Sequence, residues 1–247
     1  MMAVCIVELL RERGTMDQDC LAAAFQRRFA AETERGYGAV AYWLLHQLAR
    51  EPWREVSAGL FGGQGSLGNG SAMRVAPLGA FFHHDLDRVM EEARASAEVT
   101  HMHPEGIAGA QAVALATALL VRRGALESEC PKEKPSELLG AVAERLPRGV
   151  IRAGVERARE VLGAPPHEAA EALGDGREVR CSDTVPFALC CAAQHPADFE
   201  AALWFALGGL LAPESDRDTV LAIVGGIVGA VAPPPGAWLE AREPLPA

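Results

Sequence analysis

Apolar residues recur along this chain with the period of a helix. Leu86, Val89, Met90, Ala93 and Ala97 keep the i, i+3, i+4, i+7, i+11 spacing of one buried stripe. Val220, Ile223, Val224, Ile227, Val228 and Val231 do the same near the C-terminus. The same period predicts further helices over 3–13, 16–31, 37–50, 106–122, 136–145, 148–162, 185–194 and 197–211. No segment alternates with period two, so no strand is expected.

Two stretches break the rhythm. Residues 59–80, GLFGGQGSLGNGSAMRVAPLGA, read as a long glycine-rich connection, the kind of loop that more often carries function than fills space. Residues 163–182 mix Pro165, Pro166 and charges and read as a second break. There is no internal repeat. The pattern therefore predicts an all-α fold, helical over 1–232, for which the length allows one to two domains. Residues 233–247 form a Pro-rich tail expected to be extended or disordered.

Composition sharpens this picture. The 247 residues suffice for a full core, and only 6% are aromatic, so the helices must pack through small side chains, alanine above all. The net charge of −10 makes the surface a poor partner for nucleic acid or anionic membrane. An anionic ligand would have to be met locally, by helix N-termini, backbone amides or a metal ion. The apolar run 219–232 is too short to span a bilayer, and the first ten residues lack a signal peptide's basic start and cleavage site. Cys5, Cys20, Cys130, Cys181, Cys190 and Cys191 form no CxxC pair and sit in helical patterns, as expected of reduced, mostly buried thiols in a cytoplasmic protein.

Four constellations could carry chemistry. Ser215-Asp216-Arg217-Asp218-Thr219 opens the last apolar helix. Two carboxylates and a hydroxyl there are hard oxygen donors for Mg²⁺, Mn²⁺ or Ca²⁺. The same residues also suit a helix N-cap. Gly63-Gln64-Gly65-Ser66-Leu67-Gly68 satisfies GxGxxG, but without a preceding strand it is no dinucleotide fingerprint. With Asn69-Gly70-Ser71 it suits either a nest of amides around phosphate or a surface Ω-loop. Thr100-His101-Met102-His103-Pro104-Glu105 lies between two helices. It lacks a third zinc ligand, so it serves either as a helix boundary with Thr100 as cap, or as one histidine on a polar ligand. Gly36-Tyr37-Gly38 is a tight turn, and the His83-His84 and Arg122-Arg123 pairs read as exposed polar residues. No GxSxG, P-loop or HExxH occurs.

Taken in order, several segments resemble the ADP-ribosylglycohydrolase family. They are Arg35-Gly36-Tyr37-Gly38, then GSLGNGSAMRVAPLG from Gly65, THMHPEGIAGA from Thr100, SDTVPFAL from Ser182 and SDRDTVLAIVGGIVGA from Ser215. The resemblance implies an all-α, roughly orthogonal helical domain with a two-metal Mg²⁺ or Mn²⁺ centre. It implies cleavage of the bond between C1″ of ADP-ribose and an acceptor on a protein or small molecule. Carried over by position, Asp216, Asp218 and Thr219 would bind metal. Gly36 and Gly38 would lie against diphosphate or ribose, and Ser66, Leu67, Gly68 and Asn69 would form the phosphate cradle. Phe61 would pack on the adenine side, and His101 would contact the ligand. ADP-ribose, free or attached to an acceptor, is the implied partner.

The sequence also departs from that pattern. The family's acidic N-terminal segment with a Thr-Asp-Asp-Thr motif would precede Met2 to Glu8, so the catalytic acid is unassigned and only half of the metal ligands are expected. Glu214-Ser215 replaces Gly-Gly, Arg217 stands between the aspartates, and Leu67 replaces an aromatic. Two readings follow: a glycohydrolase, or a member that binds ADP-ribose-like ligands or acts as a scaffold without turnover. Little or no hydrolysis is expected of these residues by themselves.

Overall fold

A computed structural model describes residues 1–126 and 134–244. These residues form α-helices throughout, with no sheet; the one extended feature is an isolated antiparallel bridge between Gly68 and Arg180. The helices are α1 (Met2–Arg13), α2 (Gln18–Ala31), α3 (Ala39–Gln47), α4 (Trp53–Gly63), α5 (Ala76–Phe81), α6 (Leu86–Glu98) and α7 (Pro104–Leu126). After the undescribed stretch come α8 (Pro135–Arg145), α9 (Val150–Glu160), α10 (Pro166–Leu173), α11 (Cys181–Gln194), α12 (Phe199–Gly209), α13 (Arg217–Val228) and α14 (Gly236–Ala241). A 3-10 turn, Asn69–Arg74, precedes α5.

Local chemistry explains most of the boundaries. Asp17, Asp85, Asp198 and Asp216 each accept a backbone N–H from the first turn of the helix they precede. Proline occupies the first positions of α5, α8 and α10, where its missing N–H costs nothing. Gly14 ends α1 in the left-handed conformation and returns its N–H to Leu10.

Helix α7 is the axis of the molecule, packed by α5, α6, α8, α9, α11 and α13. Ala108, Ala110, Ala112, Val113, Ala114, Leu115, Ala116 and Ala118 are buried, so the helix is apolar on nearly every side because it is surrounded. Its stretch Pro104–Gly124 is the one helix among the described residues long and apolar enough to cross a membrane; 67% of that stretch is buried inside the protein. The low aromatic content has its counterpart in close backbone approach. A methyl on Gly79 would strike the carbonyl of Ala114, and one on Gly109 would strike Cys181 Sγ.

Several expectations need correction. Residues 59–80 are not one long loop: α4 ends in them, leaving helical geometry at Leu60, Phe61 and Gly62, and the 3-10 turn and α5 lie within them. Residues 163–182 contain α10, whose Ala169, Ala170 and Leu173 are buried. Glycine and proline mask these short helices, which gain their stability from burial rather than propensity. Helix α11 begins at Cys181, not 185. Pro186 would ordinarily mark the first turn, but Cys181 N–H bonds Leu67 O and Thr184 Oγ1 bonds Arg180 O, which hold an extra turn ahead of it.

The tail is not wholly extended. It carries α14, Arg35 pairs with Glu243 at 2.7 Å, and Trp238 meets Phe199 edge-on at 6.1 Å. Arg122 is not simply exposed; it donates to the His83 and His84 carbonyls that follow α5. Cys5, Cys181, Cys190 and Cys191 are buried free thiols and Cys20 is half-buried; Cys130 lies outside the described residues.

Candidate functional site

The site gathers at the glycine-rich segment. Gly65 has φ +75, and a Cβ there would come within 2.6 Å of His103 N and 2.7 Å of Met102 C. Only glycine lets this backbone lie flat on the segment entering α7. Gly106 makes the same close approach to Ser66 O from the other side, at 2.6 Å. Ser66, buried, turns its Oγ back to accept the Gly68 N–H at 3.2 Å. Leu67 O accepts from Cys181 N–H at 3.1 Å, and Asn69 N–H donates to Val179 O at 3.2 Å. The amides of Gly68 and Asn69, expected to cradle phosphate, therefore already donate within the protein.

Asn69 is the hinge of the arrangement. Its buried side-chain amide donates to Thr184 Oγ1 at 3.0 Å and to Asp216 Oδ2 at 2.8 Å. One residue of the GNGxAMR element thus joins the start of α11 to the start of α13. The other oxygen of Asp216 accepts Thr219 N–H at 3.1 Å, so the helix-cap reading of this aspartate holds. Asp218 is exposed, and Thr219 is buried with its Oγ1 3.9 Å from Met73 Sδ. Arg217 turns away from the carboxylates and donates to the carbonyls of Leu210 and Ala212, both at 3.0 Å.

The Asp216 turn is braced from a segment that carried no signal in the sequence. Asp175 Oδ2 accepts from Ser215 Oγ at 2.7 Å, and its carbonyl accepts Asp216 N–H at 3.1 Å. Arg177 grips the same carboxylate at 2.8 and 2.7 Å, holding it well below the usual carboxylate range. The segment then bends through Val179, whose φ of 56 is uncommon for a β-branched residue, and presents its carbonyl to Asn69.

His101 lies against the cradle. A Cβ built on Gly68 would be 3.5 Å from its Nε2, and one on Gly70 3.4 Å. Its Nδ1 is 2.6 Å from Thr100 Oγ1, which also accepts from Arg74 at 2.8 Å. Burial first, then the Arg74 charge, lowers the His101 pKa to about 3, so the ring is neutral. Thr100 is therefore not the cap of α7. That role belongs to His103, whose Nδ1 accepts Glu105 N–H at 3.1 Å, which removes it from any zinc pair.

Phe61 stands at the neck before the cradle, 57% exposed and in the left-handed region with φ 52. Its ring is free to stack. Gly36 and Gly38 are exposed between α2 and α3, and a Cβ on either would meet open space. The structure thus brings together Ser66, Leu67, Gly68, Asn69, His101, Asp216 and Thr219, with Asp218 exposed beside them. Gly38 is tied to its own helix, its carbonyl accepting Tyr42 N–H at 2.8 Å.

The donor chemistry of Asp216, Asp218 and Thr219 fits a hard divalent cation. Among the described residues, no group of three or more His, Cys, Asp or Glu collects anywhere. These three residues therefore fit as a partial shell, the manner in which Mg²⁺ is commonly held by one or two carboxylates with water and ligand oxygens completing the octahedron.

Sequence reasoning gave no role to Thr184, Asp175 or Arg74, and read Ser215 and Thr100 as helix-cap candidates. Thr184, Arg74 and Thr100 lie inside the quoted motifs; Asp175 lies in the segment read as a break and offered no local signal.

Comparison with known proteins identifies the family. The profile of the ADP-ribosylglycohydrolase family matches residues 1–243. ADP-ribosylhydrolase ARH3 of Danio rerio is 28% identical over 92% of this chain, which spans 66% of that protein's length. An uncharacterised protein of Archaeoglobus fulgidus is 31% identical, covering 96% of this chain and 72% of its own length. A solved ADP-ribosylglycohydrolase-related protein complex superposes with a TM-score of 0.66 at 25% identity, over 98% of this chain and 74% of that one. The chain belongs to the ADP-ribosylglycohydrolase family.

Proposed function

We propose that this chain binds ADP-ribose at the Ser66-to-Asn69 segment. We further propose that its chemistry is hydrolysis of the bond from C1″ of the ribose to an acceptor side chain or small molecule. The observation that supports this most directly is the 2.8 Å bond from Asn69 to Asp216. It sets the candidate phosphate segment beside the candidate cation ligands, the neighbourhood that a diphosphate joined to a ribose requires. In this reading His101 supplies a neutral donor, and Phe61 a surface for the adenine. The exposed face of Asp218, the outer lone pairs of Asp216 and the Thr219 hydroxyl hold Mg²⁺ or Mn²⁺. When bound, such a cation supplies Lewis-acid stabilisation and orients ribose hydroxyls or water. The acidic surface, with a charge of −10, leaves anion recognition to these local groups. The buried free thiols support a reducing, cytoplasmic setting.

A second reading, binding without turnover, is favoured by the sparse donor set, since among the described residues no third acidic or imidazole ligand joins Asp216 and Asp218. Titration of the full chain with ADP-ribose by calorimetry, with and without Mg²⁺, tests the common part. Metal-dependent binding lost in Asp216→Asn is expected; no heat from folded protein overturns it. Release of free ADP-ribose from a modified peptide then separates the readings. Turnover that disappears in Asp218→Ala supports hydrolysis, and binding with no release supports the second.

A further inference from the structure

Arg74 is buried, yet it meets no carboxylate among the described residues. Its guanidinium lies 4.7 Å over the Phe25 ring, donates to Ser96 O at 2.9 Å and to Thr100 Oγ1 at 2.8 Å, and leaves Nε without a partner. Burying an unneutralised cation is costly, so its placement calls for a reason beyond packing.

The reason lies one bond further on. A guanidinium can only donate, so it occupies a lone pair of the Thr100 hydroxyl. Among the described residues that hydroxyl has one other partner, His101 Nδ1 at 2.6 Å, and no alternative acceptor for its own proton. The proton therefore points at Nδ1, which must be the bare nitrogen. The ring's single proton then sits on Nε2, the edge that faces Gly68 and Gly70 and has no hydrogen-bond partner among the described residues. In the opposite tautomer Nε2 would present a lone pair, which repels a phosphate oxygen and can only accept from a ligand hydroxyl. We propose that Arg74, acting through Thr100, is a positioning residue that fixes His101 as the Nε2–H tautomer and so makes it a donor to an oxygen of the bound ligand.

The surroundings agree. Glu105, the nearest carboxylate on α7, is turned to the N–H groups of Val150 and Ile151 at 3.1 and 3.0 Å. His103 accepts from Glu105 N–H, and Ser66 accepts from Gly68 N–H. Arg74 is the one charge that acts on the ring, and it opposes a second proton there. The donor role toward a ligand rests on the ADP-ribose reading; the tautomer does not.

Two-bond ¹⁵N–¹H spectra of the histidine-labelled full chain test the tautomer directly, with His101 identified by the signals lost in His101→Gln. The expected result is a bare Nδ1 and a protonated Nε2, unchanged from about pH 8 to about pH 5. Thr100→Val should give an averaged mixture of tautomers and weaken ADP-ribose about tenfold, the weight of one hydrogen bond to a charged group. Thr100→Ser should restore both. A protonated Nδ1 in the unaltered protein overturns the proposal, whether or not Thr100→Val folds, and so does an unchanged spectrum in that variant. The predicted tautomer in a chain that shows no affinity for ADP-ribose would overturn the ADP-ribose reading and leave the relay standing.

Discussion

Asp175 shows how much rests on one side chain outside the recognised motifs. Its carboxylate takes Ser215 Oγ and two nitrogens of Arg177, while its carbonyl takes the N–H of Asp216. The hydrogen bonds from Arg177, then that from Ser215, depress its pKa in the folded state. A depressed carboxyl stabilises the fold above its unfolded value, about 4, and loses that contribution as the pH falls below it. Urea denaturation over a pH series should therefore show stability falling on acidification. Asp175→Asn should lower stability by about 1–2 kcal/mol near neutrality, the exposed Arg177 limiting the loss, and should flatten the acid slope. An acid slope identical to that of the parent would remove Asp175 from this role. The sequence offered no sign of it, because a hydrogen bond 40 residues away along the chain leaves no local pattern.

At the scale of elements, the long amphipathic helices were legible because their spacing is a local property. Helices α6, α7 and α13 fall close to where the apolar stripes place them. Helices α5 and α10 were missed because glycine, proline and short length hide a helix that exists by virtue of its neighbours. Packing distinguishes glycines that composition treats alike. Gly79 of α5 meets the backbone of α7, whereas Gly59 of α4 has open space around its Cβ position. Gly79→Ala should destabilise by about 1–3 kcal/mol through overpacking. Gly59→Ala should stabilise by up to about 1 kcal/mol through helix propensity. Thermal unfolding of the two variants side by side checks both signs, and equal effects would show that α5 does not press on α7 as described.

Over the whole molecule, one core holds both the helices and the site, and the thiols report on its integrity. Burial raises the Cys181 pKa to about 12 and that of Cys190 to about 11, and it raises Cys5 and Cys191 as well. Iodoacetamide near neutral pH, read out by peptide mapping, should leave these four unmodified in the folded chain and modify all of them after denaturation. Cys181 is the informative one, since its Sγ bonds Gly68 O at 3.1 Å. Its modification in folded protein would show that the glycine segment lifts off α11. The sequence by itself determined the helical class, the absence of a sheet, the order of the motifs and the family. Each of those is written in short-range spacing or in residue types that a motif match can read. Only the tertiary structure decided that Asn69 meets Asp216 across 147 residues and that two of the cradle's amides are already engaged. Those outcomes depend on how helices cross around α7, and crossing is set by the shapes of packed side chains, which periodicity along the chain does not encode.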